Sequence, residues 1–104
     1  MNAVENQVRQ LVEVELAAAN ERFPQFHSQH EGWAVMLEEV VEAEVEMKTI
    51  RGNADGMFDL IRNNVEAKWV AEKIEYAAIH AACEAIQVAA MCKKFLEMEA
   101  VNGG

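Results

Sequence analysis

An all-α fold is the expectation for this chain of 104 residues, and three observations carry it. Turn formers are scarce, with one proline, Pro24, and five glycines, two of them the terminal Gly103 and Gly104. Sixteen of the eighteen acids are Glu, which tolerates helix interiors better than Asp does. Apolar residues recur at three- and four-residue steps, the period of an amphipathic helix. Few breaks mean few, long segments. The length suits one domain, residues 1–104, built as an antiparallel bundle of about four helices.

The first helix is expected from about Asn2 to Arg22, where Val4, Val8, Leu11, Val12, Leu16 and Ala19 form one stripe. Pro24 ends it, because proline disfavours the helical conformation in Phe23 before it. A short aromatic connector, Phe23 to His27, follows. Ser28-Gln29-His30-Glu31 then matches the S-x-x-E capping box and sets the start of the second helix at Ser28. That helix should run to about Ile50 and end at Arg51-Gly52-Asn53, whose Gly and Asn suit a C-cap. Asp55 can cap a shorter third helix, Gly56 to Asn63. A final long helix is expected from about Val65 to Met98.

Charge limits the function classes. Nine Lys and Arg against eighteen acids give a formal charge of −9, and the pI is near 4.7. A bare surface of that sign does not grip a nucleic-acid polymer or an anionic membrane, since both need a basic patch. A nucleotide substrate stays open, because Mg²⁺ can bridge carboxylates to phosphates. No run of about 18 uncharged apolar residues appears, so no transmembrane helix is expected. The polar stretch Met1 to Leu11 has no signal-peptide core, which points to a cytoplasmic protein. Cys83 and Cys92 lie nine residues apart in one expected helix and point to opposite sides, so they neither join nor chelate together and read as small apolar fillers.

The second helix segregates its side chains. Trp33, Met36, Leu37, Val40, Val41 and Met47 form an apolar arc, and Glu31, Glu38, Glu39, Glu42 and Glu46 gather opposite. Glu38 and Glu42 are four apart and Glu39 and Glu42 three apart, so each pair can converge above the helix. Such a row is most often a solvated face, and the crowding of like charge suggests a cation site without proving one. In the last helix, Tyr76 to Cys92 is apolar nearly all round except for His80, Glu84 and Gln87, so it should lie in the core or at a subunit interface. Three readings of Glu84 stay open: a hydrogen bond to His80 or to a lysine, a metal site completed by the second helix, or plain exposure. Antiparallel packing of the two helices would bring Glu38, Glu39 and Glu42 against Glu84 and Gln87. All-oxygen ligation of that kind suits Mg²⁺ or Mn²⁺ and disfavours zinc.

Phe26 to Met47, FHSQHEGWAVMLEEVVEAEVEM, together with Glu84 to Leu96, EAIQVAAMCKKFL, resembles the MazG-like all-α nucleoside triphosphate pyrophosphohydrolases, in particular their small phage and prophage forms. The family carries E-E-x-x-E on one helix and E-x-x-D on a later one. Glu38-Glu39-Val40-Val41-Glu42 matches the first element in full; Glu84 matches the acid of the second, and Gln87 stands where Asp is expected. The resemblance covers about Phe23 to Leu96, loosely between Gly52 and Ala82. It implies Mg²⁺ ligation by Glu39, Glu42 and Glu84, with Gln87 in the fourth family position and Glu38 as a further ligand or the base that orients water. It implies conversion of a nucleoside triphosphate to its monophosphate and pyrophosphate, and assembly as a homodimer or homotetramer. Gln87 offers an amide oxygen but no charge, and it cannot act as a base.

Other residues have looser roles. His27, His30 and Glu31 are either a capping and solvated set or place His30 or Glu31 at the mouth of a nucleotide pocket. His80 and Lys94 join them as candidate substrate contacts; Lys73, Lys93, Lys94 and Arg62 are basic residues that could contact phosphates and that surface ion pairs explain equally well. Trp33 and Trp69 read as core or interface anchors. The competing function is a non-catalytic, degenerate MazG-like module that binds a nucleotide or a protein partner.

Overall fold

The computed structural model describes residues 3–99, which form three helices: α1 (Glu5–Arg22), α2 (Gln29–Arg62) and α3 (Lys68–Leu96). No strand occurs among the described residues, so the all-α class holds. The expected count of four becomes three, because the second and third expected helices are one continuous α2 of 34 residues.

Local chemistry explains each boundary. α1 stops where Pro24 demands it: Phe23 is extended, at φ −132° and ψ 141°, while its N–H still bonds the Ala19 carbonyl. α2 starts at the expected cap, with the Ser28 hydroxyl oxygen accepting from the Glu31 N–H at 3.0 Å. The return bond of a full capping box goes elsewhere. The Glu31 carboxylate accepts from the His27 N–H at 3.4 Å and lies 3.0 Å from His27 Nδ1.

The helix runs through Gly52 and Asn53 because neither forces a stop. Asn53 Nδ2 donates to the Thr49 carbonyl at 2.9 Å, and Arg51 pairs with Asp55 at 3.2 Å, both within the helix. One interior glycine costs about 1 kcal/mol relative to alanine. Stopping and starting again costs more, since a new nucleus must be paid in chain entropy. The true C-cap is Asn64, in the left-handed region at φ 58°. There the Val65 N–H bonds the Leu60 carbonyl at 2.8 Å and the Asn64 N–H bonds the Ile61 carbonyl at 3.0 Å, which is a Schellman closure. α3 begins three residues later than Val65, where Glu66 Oε1 accepts from both the Ala67 and Lys68 N–H groups at 2.9 Å.

The helices contribute to two compact units. The first comprises the chain up to Glu39 together with the chain from Ile86 onward. Its core is Val12, Leu16 and Ala90, flanked by Ile86, Ala89 and Met91. The connector folds back on α3, with Gln25 Nε2 donating to the Lys94 carbonyl at 2.8 Å. Gly32 makes room for Phe26 and Phe95 beside it. The second unit, Val40–Ala85, is the hairpin that the 63–67 turn makes of α2 and α3, which run antiparallel there. It buries Ala67, Val70 and Ala77.

Large apolar side chains remain outside. Along α2, Trp33, Leu37, Val41 and Val45 follow one another at four-residue steps and are 38–57% exposed. On α3, Trp69, Tyr76 and Ile79 are exposed as well. Of the expected apolar arc of the second helix, Met36 and Val40 are half-buried, whereas Trp33, Leu37, Val41 and Met47 are left exposed by the described residues. No helix among the described residues is long and apolar enough to cross a membrane.

Candidate functional site

α2 and α3 supply the acids. Glu42 and Glu84, both in the second unit, each bring a carboxylate oxygen within 4.8 Å of the other. Glu39 stands three residues before Glu42 on the uninterrupted α2, hence on the same face of that helix. Glu42 is exposed, whereas Glu39 and Glu84 are half-buried, each with its Oε2 shielded from solvent. Glu84 therefore lies beside another carboxylate of its own unit, and half-burial sets aside only the reading of plain exposure. His80 turns to Tyr76, with ring centroids 4.4 Å apart.

Those oxygens are hard, anionic donors. Carboxylates this close repel one another, and part of their charge has lost its water. Hard oxygen donors of this kind fit Mg²⁺ or Mn²⁺. Acidic groups in proximity are also common without an ion, so the geometry alone is permissive.

Within the first unit lies a cleft of about 820 Å³, lined among others by Arg22, Glu31, Glu38, Glu39, Gln87 and Lys94. Glu38 is exposed and Gln87 half-buried. Two of the four candidate substrate contacts, Glu31 and Lys94, line this cleft. The other two do not: His30 is exposed and packs on Trp33, with ring centroids 5.6 Å apart, and His80 belongs to the second unit. The His27 ring beside Glu31 holds the Glu31 carboxyl below the ordinary carboxylate range, chiefly through their side-chain hydrogen bond.

The basic residues separate. Lys93 pairs with Glu13, Arg62 with Asp59, and Lys73 sits over the Trp69 ring. Lys94 differs from all of them, because it is 2% exposed. Its ammonium contacts the Phe23 carbonyl at 3.5 Å and the Phe26 ring at 5.1 Å. A surface ion pair does not explain it. Burial of that lysine and the part played by Phe26 were not readable from the chain; the available signal was the stripe Gln87, Met91, Lys94, in which the seven-residue step from Gln87 to Lys94 returns to one face of α3. The cysteines also part ways: Cys92 is half-buried with its Sγ 3.6 Å from Met36 Sδ, but Cys83 is exposed and fills nothing.

In comparisons with known proteins, no family model, no curated protein and no solved structure matches this chain.

Proposed function

We propose that this chain is a metal-dependent nucleoside triphosphate pyrophosphohydrolase of the MazG-like kind. It would convert an NTP or dNTP and water to the monophosphate and pyrophosphate. The observation that supports this reading is the approach of the Glu42 and Glu84 carboxylates to within 4.8 Å, with Glu39 one helical turn before Glu42 on the same face of α2. These three residues would hold Mg²⁺ or Mn²⁺, with the Gln87 amide oxygen as an uncharged fourth donor. A cation bound there supplies positive charge for the phosphate oxygens and a more acidic water. Glu38, next to Glu39 and lining the cleft, orients the attacking water toward the α-phosphorus and accepts its proton. The exposed apolar side chains on α2 and α3 support a homodimer or homotetramer as the working form. Its substrates would be cytoplasmic nucleotides, and neither a nucleic-acid polymer nor a membrane is a partner.

The test is pyrophosphate release from a panel of ribo- and deoxyribonucleotides at millimolar Mg²⁺ or Mn²⁺. At least one substrate should turn over, and Glu42→Gln should lower the rate by roughly 10²-fold or more, the scale of losing a group that stabilises transition-state charge. No release across the panel overturns the proposal. Gln87, in the place of an acid, favours a second reading, a non-catalytic module that binds metal or nucleotide and forms no product. Gln87→Asp separates the two: a gain in turnover identifies a weakened enzyme, and binding without product in both forms identifies the module.

A further inference from the structure

We infer that α2 carries a hinge at residues 51–56, where it opens locally into an upstream helix and a short downstream one while both ends stay folded. Glycine inside a helix lowers its stability relative to alanine, and Gly52 and Gly56 stand four residues apart within α2. Packing requires neither, since nothing lies within 4 Å of a Cβ built on either of them. The same stretch also has little hold on the second unit. From Arg51 to Gly56 only Asn53 is half-buried, and the other five residues are exposed. The half-buried apolar Ile50 and Met57 lie on either side of that polar position. A stretch of helix that puts no apolar side chain inside the hairpin opens at lower free energy than its packed neighbours.

Local hydrogen bonds lower the barrier to that opening. Asn53 Nδ2 donates to the Thr49 carbonyl at 2.9 Å, and Thr49 Oγ1 donates to the Val45 carbonyl at 3.1 Å. Each carbonyl is also the helix acceptor for the N–H of the same residue, so it keeps a partner when the backbone bond is lost. Capping chemistry for both new ends is present in the sequence: Gly52 suits the position after a helix C-terminus, and Asp55 suits an N-cap. In the continuous helix Asp55 is held instead by Arg51 at 3.2 Å, an exposed pair that contributes little. The piece that swings is the downstream one. It carries Met57 and Ile61, which with Val65, Ala67 and Ala71 wall a cleft of about 560 Å³ in the second unit. Opening at the hinge therefore changes the width of that cleft.

Native-state hydrogen exchange on the full chain tests the hinge. Once intrinsic rates are divided out, amides of residues 53–58 should exchange at least about tenfold faster than those of residues 41–47 in the same helix. Gly52→Ala combined with Gly56→Ala introduces no clash, because both sites are open. That double variant should slow exchange at residues 53–58 at least about tenfold relative to residues 41–47. Gly56→Pro is the converse, since proline is accepted in the first turn of a helix but not in the middle of one. It should populate the open form, with residues 53–58 exchanging rapidly while residues 70–77 of α3 keep their protection. Equal protection of the two α2 segments in wild type overturns the inference. So does equal slowing of both segments in the double alanine variant, or loss of protection throughout the hairpin in Gly56→Pro.

Discussion

Gly32 is closely packed within the first unit. A Cβ built on it would lie 2.7 Å from Phe95 Cδ2 and 2.9 Å from Phe26 Cδ2, well inside contact. Gly32→Ala gains about 1 kcal/mol of helix propensity, but the two rings must move, and overpacking of this kind costs about 1–3 kcal/mol. Urea unfolding should show a net loss of stability. Gly52→Ala is the matched control, because nothing lies within 4 Å of its Cβ, and it should stabilise α2 by about 0.5–1 kcal/mol. Glu31 gives a pH signature at the same scale. Its carboxyl is held low by His27, so this contribution to stability is present above the unfolded-state pKa and is lost as pH falls through the folded one. Carbon-detected NMR should find the Glu31 midpoint below that of a free glutamate, moving up in His27→Ala. The proximity of Glu39 to Glu42 was legible because a helix guarantees it, and Glu84 was marked by its apolar surroundings. Gly32 and Lys94 were not legible. Their environments are made by Phe26 and by residues more than sixty positions away, and no local pattern records such contacts.

Helix ends that depend on neighbouring residues were readable, and those that depend on competition were not. Pro24 and Ser28 act within a turn of themselves, so α1 and α2 end and begin where expected. Gly52-Asn53 looked like a C-cap because its composition matches one, yet α2 continues to the Asn63-Asn64 pair. What decides is which site closes with better hydrogen bonds, and at Asn64 two backbone donors find helix carbonyls at 2.8 and 3.0 Å. Asn64 adopts φ 58°, a conformation that costs an ordinary L-residue roughly 1–2 kcal/mol. Asn64→Ala should therefore lower the melting temperature, whereas Asn64→Gly should match or exceed wild type. Ser28→Ala should cost about 1 kcal/mol by removing the acceptor for the Glu31 N–H, with the loss confined to the start of α2 in hydrogen exchange.

At the scale of the molecule, apolar exposure and net charge oppose each other. Trp33, Leu37, Val41 and Val45 present an apolar stripe on α2, and Trp69, Tyr76 and Ile79 add exposed surface on α3. Contiguous patches of that sort favour association of copies through burial. Each copy also carries a formal charge of −9, so bringing two together accumulates like charge that salt would screen. The two terms predict an assembly whose affinity rises with ionic strength, the reverse of one held by ion pairs. Sedimentation should find twice or four times the chain mass of 11.6 kDa, with dissociation promoted by dilution at low salt and suppressed at high salt. Leu37→Lys combined with Val45→Lys makes the charge less negative, which by electrostatics alone would strengthen association. If the apolar stripe drives assembly, the same double variant weakens it instead, because two lysines must lose their water at the contact. A variant that stays fully associated at the same concentration and salt would show that assembly uses another surface.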